Sequence, residues 1–183
     1  MKFARLAAFL LLSFLGFVTQ PAYAEGTNEA LERQVKSAYI FKFGNYITWP
    51  ENLFADGASP IIIGVIEDES LASELEKIAT GHKSGNRPVI IKKLNAKNLN
   101  TDVHILYIGN DANKLLTSYK TLHPDAPILY ITDAVDALSI GSIINFVHEN
   151  NRVRFDVSLP AAEQNKIKLD ASLLTVARQV ISK

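Results

Sequence analysis

"PIIIGVIEDESLASELEKIAT", residues Pro60–Thr80, decides the fold. It opens with a short run of β-branched residues behind a proline, apolar at consecutive positions and therefore on both faces of a strand. Within Ser70–Thr80, Leu71, Leu75, Ile78 and Ala79 recur at the three- and four-residue spacing of one helix face. A strand apolar on both faces must be covered on both, and a following helix supplies half of that cover. The same unit repeats outward. "PVIIKKL" (Pro88–Leu94), "VHILYIG" (Val103–Gly109) and "PILYIT" (Pro127–Thr132) read as further strands, and Asp111–Leu122 carries Leu115, Leu116, Tyr119 and Leu122 on one helical side. The expectation is a mostly parallel sheet between helices.

The rhythm changes towards the end. "SIINFVHENNRVRFDVS" (Ser142–Ser158) holds two strand-like runs around Glu149–Asn151, the pattern of an antiparallel hairpin. Ser158 can cap a short helix with Pro160 in its first turn. Leu169–Ile181, with Leu173, Leu174, Ala177, Val180 and Ile181 as its stripe, predicts a longer C-terminal helix. The fold class is α/β: a three-layer α/β/α sandwich with a mostly parallel sheet, a C-terminal antiparallel hairpin and a C-terminal helix.

The amino terminus points to a compartment. Lys2 and Arg5 precede an apolar run from Leu6 to Val18, too short to span a bilayer comfortably, and "AYA" at Ala22–Ala24 follows. This is the layout of a signal peptide over residues 1–24, leaving residues 25–183 as a single periplasmic domain that begins at Glu25. The chain has no cysteine, which excludes a lipid anchor on that residue and any disulfide of its own. Without Lys2 and Arg5 the remaining 17 basic residues face 19 acidic ones. That balance speaks against a nucleic-acid binder, which would carry a clustered basic face.

No phosphate-cradling glycine loop, nucleophile elbow or His-Glu-x-x-His helix is present. His82, His104, His123 and His148 are scattered, and His104, inside an apolar strand, reads as a hydrogen-bonded core histidine. His148 and Glu149 lie at the hairpin tip, where a solvated turn is expected. Gly81, Lys83, Gly85 and Arg87 fit an anion-binding loop or a simple turn before a strand. Asp133 follows a strand end, where α/β folds keep functional residues, although capping a helix is the preferred role. Lys83, Arg87 and Asp133 are thus the candidate ligand residues. The inventory implies no enzyme, no cofactor and no metal.

"YIFKFGNYITWPENLF" (Tyr39–Phe54) concentrates six of the sixteen aromatic residues. Taken as one helix over Leu31–Trp49, it places Leu31, Val35, Ala38, Tyr39, Phe43, Tyr46 and Trp49 within roughly 140° of each other, enough to dock on the sheet. Lys42 falls inside that stripe, its stem running along apolar surface. Pro50 ends the helix by disfavouring the α conformation at Trp49. Ile40 and Phe41 point away from the stripe. Either Leu53 and Phe54 cover this second face, or another chain does. Ile40, Phe41 and Phe54 are the candidate contact residues for a partner or for dimerisation.

The ordered series resembles the YfiR family. Its marks are the helix ending in Trp49-Pro50, Gly85-Asn86-Arg87-Pro88, "HILYIG", the strand Arg152-Val153-Arg154-Phe155 followed by Ala161-Ala162, and the closing Leu173-Leu174 segment, spread over Leu31–Val180. The resemblance implies a periplasmic regulator that binds the periplasmic domain of an inner-membrane diguanylate cyclase, holds down cyclic di-GMP and so limits biofilm formation. It also implies an α/β sandwich, a homodimer and an OmpA-like outer-membrane lipoprotein as a second partner. Many relatives carry cysteines, one near "DVHILYIG", that tie activity to redox state; this chain has none, so thiol control does not carry over. The alternative is a periplasmic small-ligand sensor with its site at the carboxyl ends of the strands.

Overall fold

The computed structural model describes residues 23–109 and 111–183; the expected signal peptide, apart from its last two residues, lies outside them. In chain order the elements are α1 (Tyr23–Phe43), a 3-10 turn (Gly44–Tyr46), β1 (Ile47–Thr48), β2 (Ile61–Ile66), α2 (Glu69–Ala79), β3 (Lys83–Ser84), β4 (Arg87–Leu94), β5 (Ile105–Ile108), α3 (Ala112–Leu122) and β6 (Leu129–Thr132). A second 3-10 turn (Ala137–Ile140), β7 (Ile144–Glu149), β8 (Arg152–Ser158), α4 (Leu159–Gln164), β9 (Lys168–Leu169), α5 (Ala171–Val176) and β10 (Gln179–Ile181) complete the chain.

One eight-stranded sheet runs β10-β8-β7-β6-β5-β2-β4-β3, and β1 pairs with β9 in a separate two-stranded ribbon. The ladder is parallel from β4 through β2, β5 and β6 to β7. It turns antiparallel at β7–β8, where Phe146 faces Phe155 across a turn with Asn150 and Asn151 both at positive φ. Those two left-handed residues give a two-residue hairpin its matching twist. Helices α1 and α2 lie side by side on one sheet face; α3 covers the other, where Tyr119 meets Tyr130 edge-on at 6.3 Å. The three layers and the parallel core agree with the sequence pattern.

The aromatic segment is mainly core. Phe43 meets Phe155 edge-on at 5.1 Å and stacks with Phe146 at 6.1 Å, while Tyr39 reaches Phe155 at 5.5 Å. Such pairs add to the burial of the rings themselves.

Three expectations are corrected. The helix expected over Leu31–Trp49 stops at Phe43. Gly44 lies so close to β3 that an added Cβ would stand 2.3 Å from the Ser84 hydroxyl. The Asn45 side chain there accepts from the Gly85 N–H, and the Asp170 N–H donates to the Tyr46 carbonyl at 2.9 Å, so tertiary hydrogen bonds capture the chain before the helical period runs out. The C-terminal helix is also shorter. After α5 the Arg178 N–H donates to the Phe155 carbonyl at 2.8 Å, and its guanidinium pairs with Asp156, drawing Gln179–Ile181 into the sheet beside β8. Val180 and Ile181 suit an edge strand as well as a helix stripe, so their pattern could not arbitrate.

The third correction concerns Ile40 and Phe41, which are 0% and 8% exposed and so present no surface to a second chain. Ser37, Ile40 and Phe41 of α1, with Gly44 directly after it, form a second buried stripe at helical spacing. The Ser37 hydroxyl donates to the Leu71 carbonyl of α2 at 3.5 Å, and Ser84 of β3 donates to the Phe41 carbonyl at 3.2 Å. Small residues at both ends of this stripe let α2 and β3 close over it.

Candidate functional site

The strand order reverses between β2 and β5. From β2 the chain moves outward to β4, then returns past β2 to β5 and continues the other way through β6 and β7. Where the order reverses, the crossovers lie on opposite faces and leave a crevice at the carboxyl ends of the strands. A cleft of about 880 Å³ lies there. Its walls are the ends of β2 (Glu67, Asp68), β5 (Tyr107, Gly109) and β6 (Asp133), the start of α3, and the N-terminal half of α1.

Local geometry shapes this rim. Gly109 lets β5 pass close to β2, since a Cβ there would stand 3.2 Å from the Glu67 carbonyl oxygen. Asp68 caps α2 by accepting from the Leu71 N–H at 2.9 Å. Glu67 and Asp111, the acidic residues at the two strand-end turns, both hold left-handed φ (57° and 53°). A glutamate seldom adopts that conformation, and such strain clusters at functional sites.

A charge network crosses the cleft. Lys36, only 6% exposed, projects from α1 and pairs with both Glu32 and Asp133. Glu32 also lies 3.0 Å from Nε2 of His148 on β7, so the network ties α1 to β6 and to the hairpin. Burial alone would lower the Lys36 pKa, but Asp133 and Glu32 hold it above its ordinary value. Burial would raise Glu32, yet Lys36 and His148 keep it below the usual carboxylate range. Tyr107 lies at the cleft floor, 2% exposed; burial, with Asp133, Asp68 and Glu32 nearby, pushes its phenol up and keeps it protonated.

Of the candidate ligand residues, only Asp133 reaches the cleft, and it pairs with Lys36 where a helix-capping role was expected. Lys83 is exposed on β3, in a turn formed with Gly81 and Gly85 at positive φ. Arg87 donates to the Asp56 and Ser59 carbonyls at 2.7 and 2.9 Å, and its guanidinium lies 3.8 Å over the Phe54 ring. These bonds hold the Asp56–Ser59 loop in place, and neither Lys83 nor Arg87 lines the cleft. Phe54 is half-covered by that guanidinium, by Trp49 and by His104, whose ring it stacks on at 4.7 Å. His104 is hydrogen-bonded as expected, its Nδ1 accepting from the Ile62 N–H at 2.9 Å, but it lies just before β5 and is half-buried, outside the core. His148 does more than decorate a turn, because it contacts Glu32.

Sequence reading missed Glu32, Lys36, Glu67, Asp68 and Tyr107. On the helical wheel Lys36 falls beside Phe43 at the edge of the apolar stripe, which was the one available signal that its side chain is buried.

Among solved structures, a conserved domain protein from Vibrio cholerae O1 biovar El Tor is similar, with TM-score 0.55 and 12% identity over 81% of this chain and 60% of that one. The ABC domain in complex with L-Trp from Streptococcus pneumonia is similar too, with TM-score 0.56 and 10% identity over 82% and 60%. At such identity these likenesses speak to the fold alone, and this chain spans about three fifths of the length of each. No curated protein matches the sequence. Residues 33–178 match the YfiR/HmsC-like family, and the chain belongs to it.

Proposed function

We propose, from that family membership, that the chain is a periplasmic regulator that binds and represses an inner-membrane diguanylate cyclase through the cyclase's periplasmic domain. The family is a regulatory one, and the match over residues 33–178 is the observation that carries the reading. In this reading the chain lowers cyclic di-GMP and restrains biofilm growth without catalysing a reaction, is exported by residues 1–24, acts as a homodimer, and is sequestered by an OmpA-like lipoprotein of the outer membrane.

With Ile40 and Phe41 buried, the contact surface must lie elsewhere. Leu31 on α1 is 58% exposed and borders an apolar groove with Val35 and Val153 beside His148. An exposed apolar groove of this kind is a candidate surface for a partner chain. Cross-linking in intact envelopes, followed by mass spectrometry, tests the reading. The wild-type chain should capture a membrane-spanning cyclase, and Leu31→Asp, at a position 58% exposed, should lose it. Equal recovery of the cyclase with Leu31→Asp would move the interface away from this groove; no cyclase with either chain would reject the repressor role. A small-ligand sensor is the second reading, favoured by the cleft at the strand ends.

A further inference from the structure

We infer that the cleft at the carboxyl ends of β2, β5 and β6 binds a small organic polycation, an aliphatic amine carrying two or more ammonium groups. The inference deepens the sensor reading and is independent of the repressor role.

Tyr107 carries the first part of the argument. Its side chain is 2% exposed and forms part of the cleft floor, yet its hydroxyl has no hydrogen-bond partner among the described residues. Among the described residues the one fully buried polar side-chain atom without a partner is Trp49 Nε1, so the Tyr107 hydroxyl opens to the cleft, where water or a ligand meets it. A protonated phenol can accept a hydrogen bond from an arriving ammonium group. The protein holds a polar atom ready where its own chain supplies nothing to meet it.

Charge selects the class. Six carboxylates line the cleft (Glu29, Glu32, Glu67, Asp68, Asp111 and Asp133) against three cations, Arg33, Lys36 and Lys114. Lys36, Glu32 and Asp133 are committed to one another, which leaves Glu29, Glu67, Asp68 and Asp111 against Arg33 and Lys114. Asp68 uses one oxygen to cap α2, and Glu67 uses one to accept from the Ala96 N–H at 3.2 Å; each keeps a second oxygen. A concave site with surplus negative charge concentrates cations and repels phosphates and carboxylates. A metal ion is a poor fit, because no group of three or more His, Asp or Glu among the described residues is placed to hold one.

Size and lining narrow the class further. A volume of about 880 Å³ exceeds what one ammonium group fills and lies in the range of small-molecule pockets. Leu71, Ala112 and Ala134 interrupt the charged wall with apolar surface, which suits methylene segments between charged nitrogens.

Titration calorimetry of the purified chain with spermidine at low ionic strength, with L-glutamate as the anionic comparison, tests this. Saturable binding of spermidine is expected, weakening as salt is raised. Tyr107→Phe should bind about tenfold more weakly, the worth of one hydrogen bond to a charged group. Its melting temperature should stay unchanged or rise, because the lost hydroxyl has no partner; a role in packing alone would leave affinity unaltered. Absence of saturable binding at millimolar spermidine would overturn the proposal. So would equal affinity of Tyr107→Phe, or L-glutamate binding as tightly as spermidine. No cyclase enters the measurement, so its failure leaves the repressor reading untouched.

Discussion

Replacing Lys36 by methionine probes the charge network at its centre. Methionine keeps the length and most of the volume of the side chain, so the change removes the ammonium group more than it removes packing. In the folded chain Lys36 has 8% side-chain exposure and stands between Glu32 (32%) and Asp133 (25%). Removing one partner from a buried ion pair costs about 3–5 kcal/mol, because the charge left behind is uncompensated. Here the two carboxylates keep part of their water, which screens them, and His148 still faces Glu32. We therefore expect a loss of about 2–3 kcal/mol at neutral pH, a figure discounted for that solvation. The single tryptophan, Trp49, makes urea unfolding followed by fluorescence a direct assay. Adding Asp133→Asn to Lys36→Met should recover part of the loss, since the two residues share one interaction. The variant should also lose the alkaline sensitivity of the parent. The folded pKa of Lys36 is raised, so its contribution is fully present below the unfolded value and fades as pH rises through the folded one. A Lys36→Met protein within about 0.5 kcal/mol of the parent, the range of an ordinary surface change, would refute the network as a structural tie.

Phe41→Ala, at a position 8% exposed, should cost about 3–5 kcal/mol in the same unfolding assay and leave the sedimentation behaviour of the folded fraction unchanged. The imidazole of His104 is held below its ordinary pKa, first by burial and then by Arg87 and Lys92. Its contribution to stability is present above the unfolded value of about 6.5 and is lost as pH falls through the folded one, so the melting temperature should drop on acidification and less so in His104→Gln. Trp49 Nε1 is buried without a hydrogen-bond partner among the described residues, so Trp49→Phe should be close to neutral in thermal melts, whereas Trp49→Ala should destabilise clearly.

The parallel core was legible because its signal is local. Ile61–Ile66 and Ile105–Ile108 are apolar on both faces, and α2 and α3 carry their stripes at helical spacing. The hairpin was legible for the same reason, its turn falling on Asn150 and Asn151. The failures lie where distant residues decide. Nothing around Gly44 announces that Ser84 will approach it, and nothing around Val180 announces a vacant sheet edge at β8. The second face of α1 was visible in Ile40 and Phe41, but its cover by α2 and β3 was not, because Ser37 and Gly44, which complete it, are not apolar; their smallness is what lets those neighbours close over Ile40 and Phe41. The cleft was legible as a place, since strand ends at a reversal of strand order are where α/β sheets bind ligands, and Asp133 was found that way. Its other members come from α1 and from the ends of β2 and β5, and a charge among helix residues looks like solvated surface until the fold turns it inward. Lys36 is of that kind, whereas Tyr107 reads simply as one more apolar position of β5.

Cellular cyclic di-GMP reports directly on repression of a membrane cyclase. It would be compared in the producing bacterium, in a strain lacking this chain, and in that strain given back either the full sequence or residues 25–183 alone. Cyclic di-GMP should rise when the chain is removed and return to the parental level with the full sequence, but not with the form lacking residues 1–24. An unchanged level on removal, or equal rescue by the form without those residues, would contradict a periplasmic repressor of a membrane cyclase.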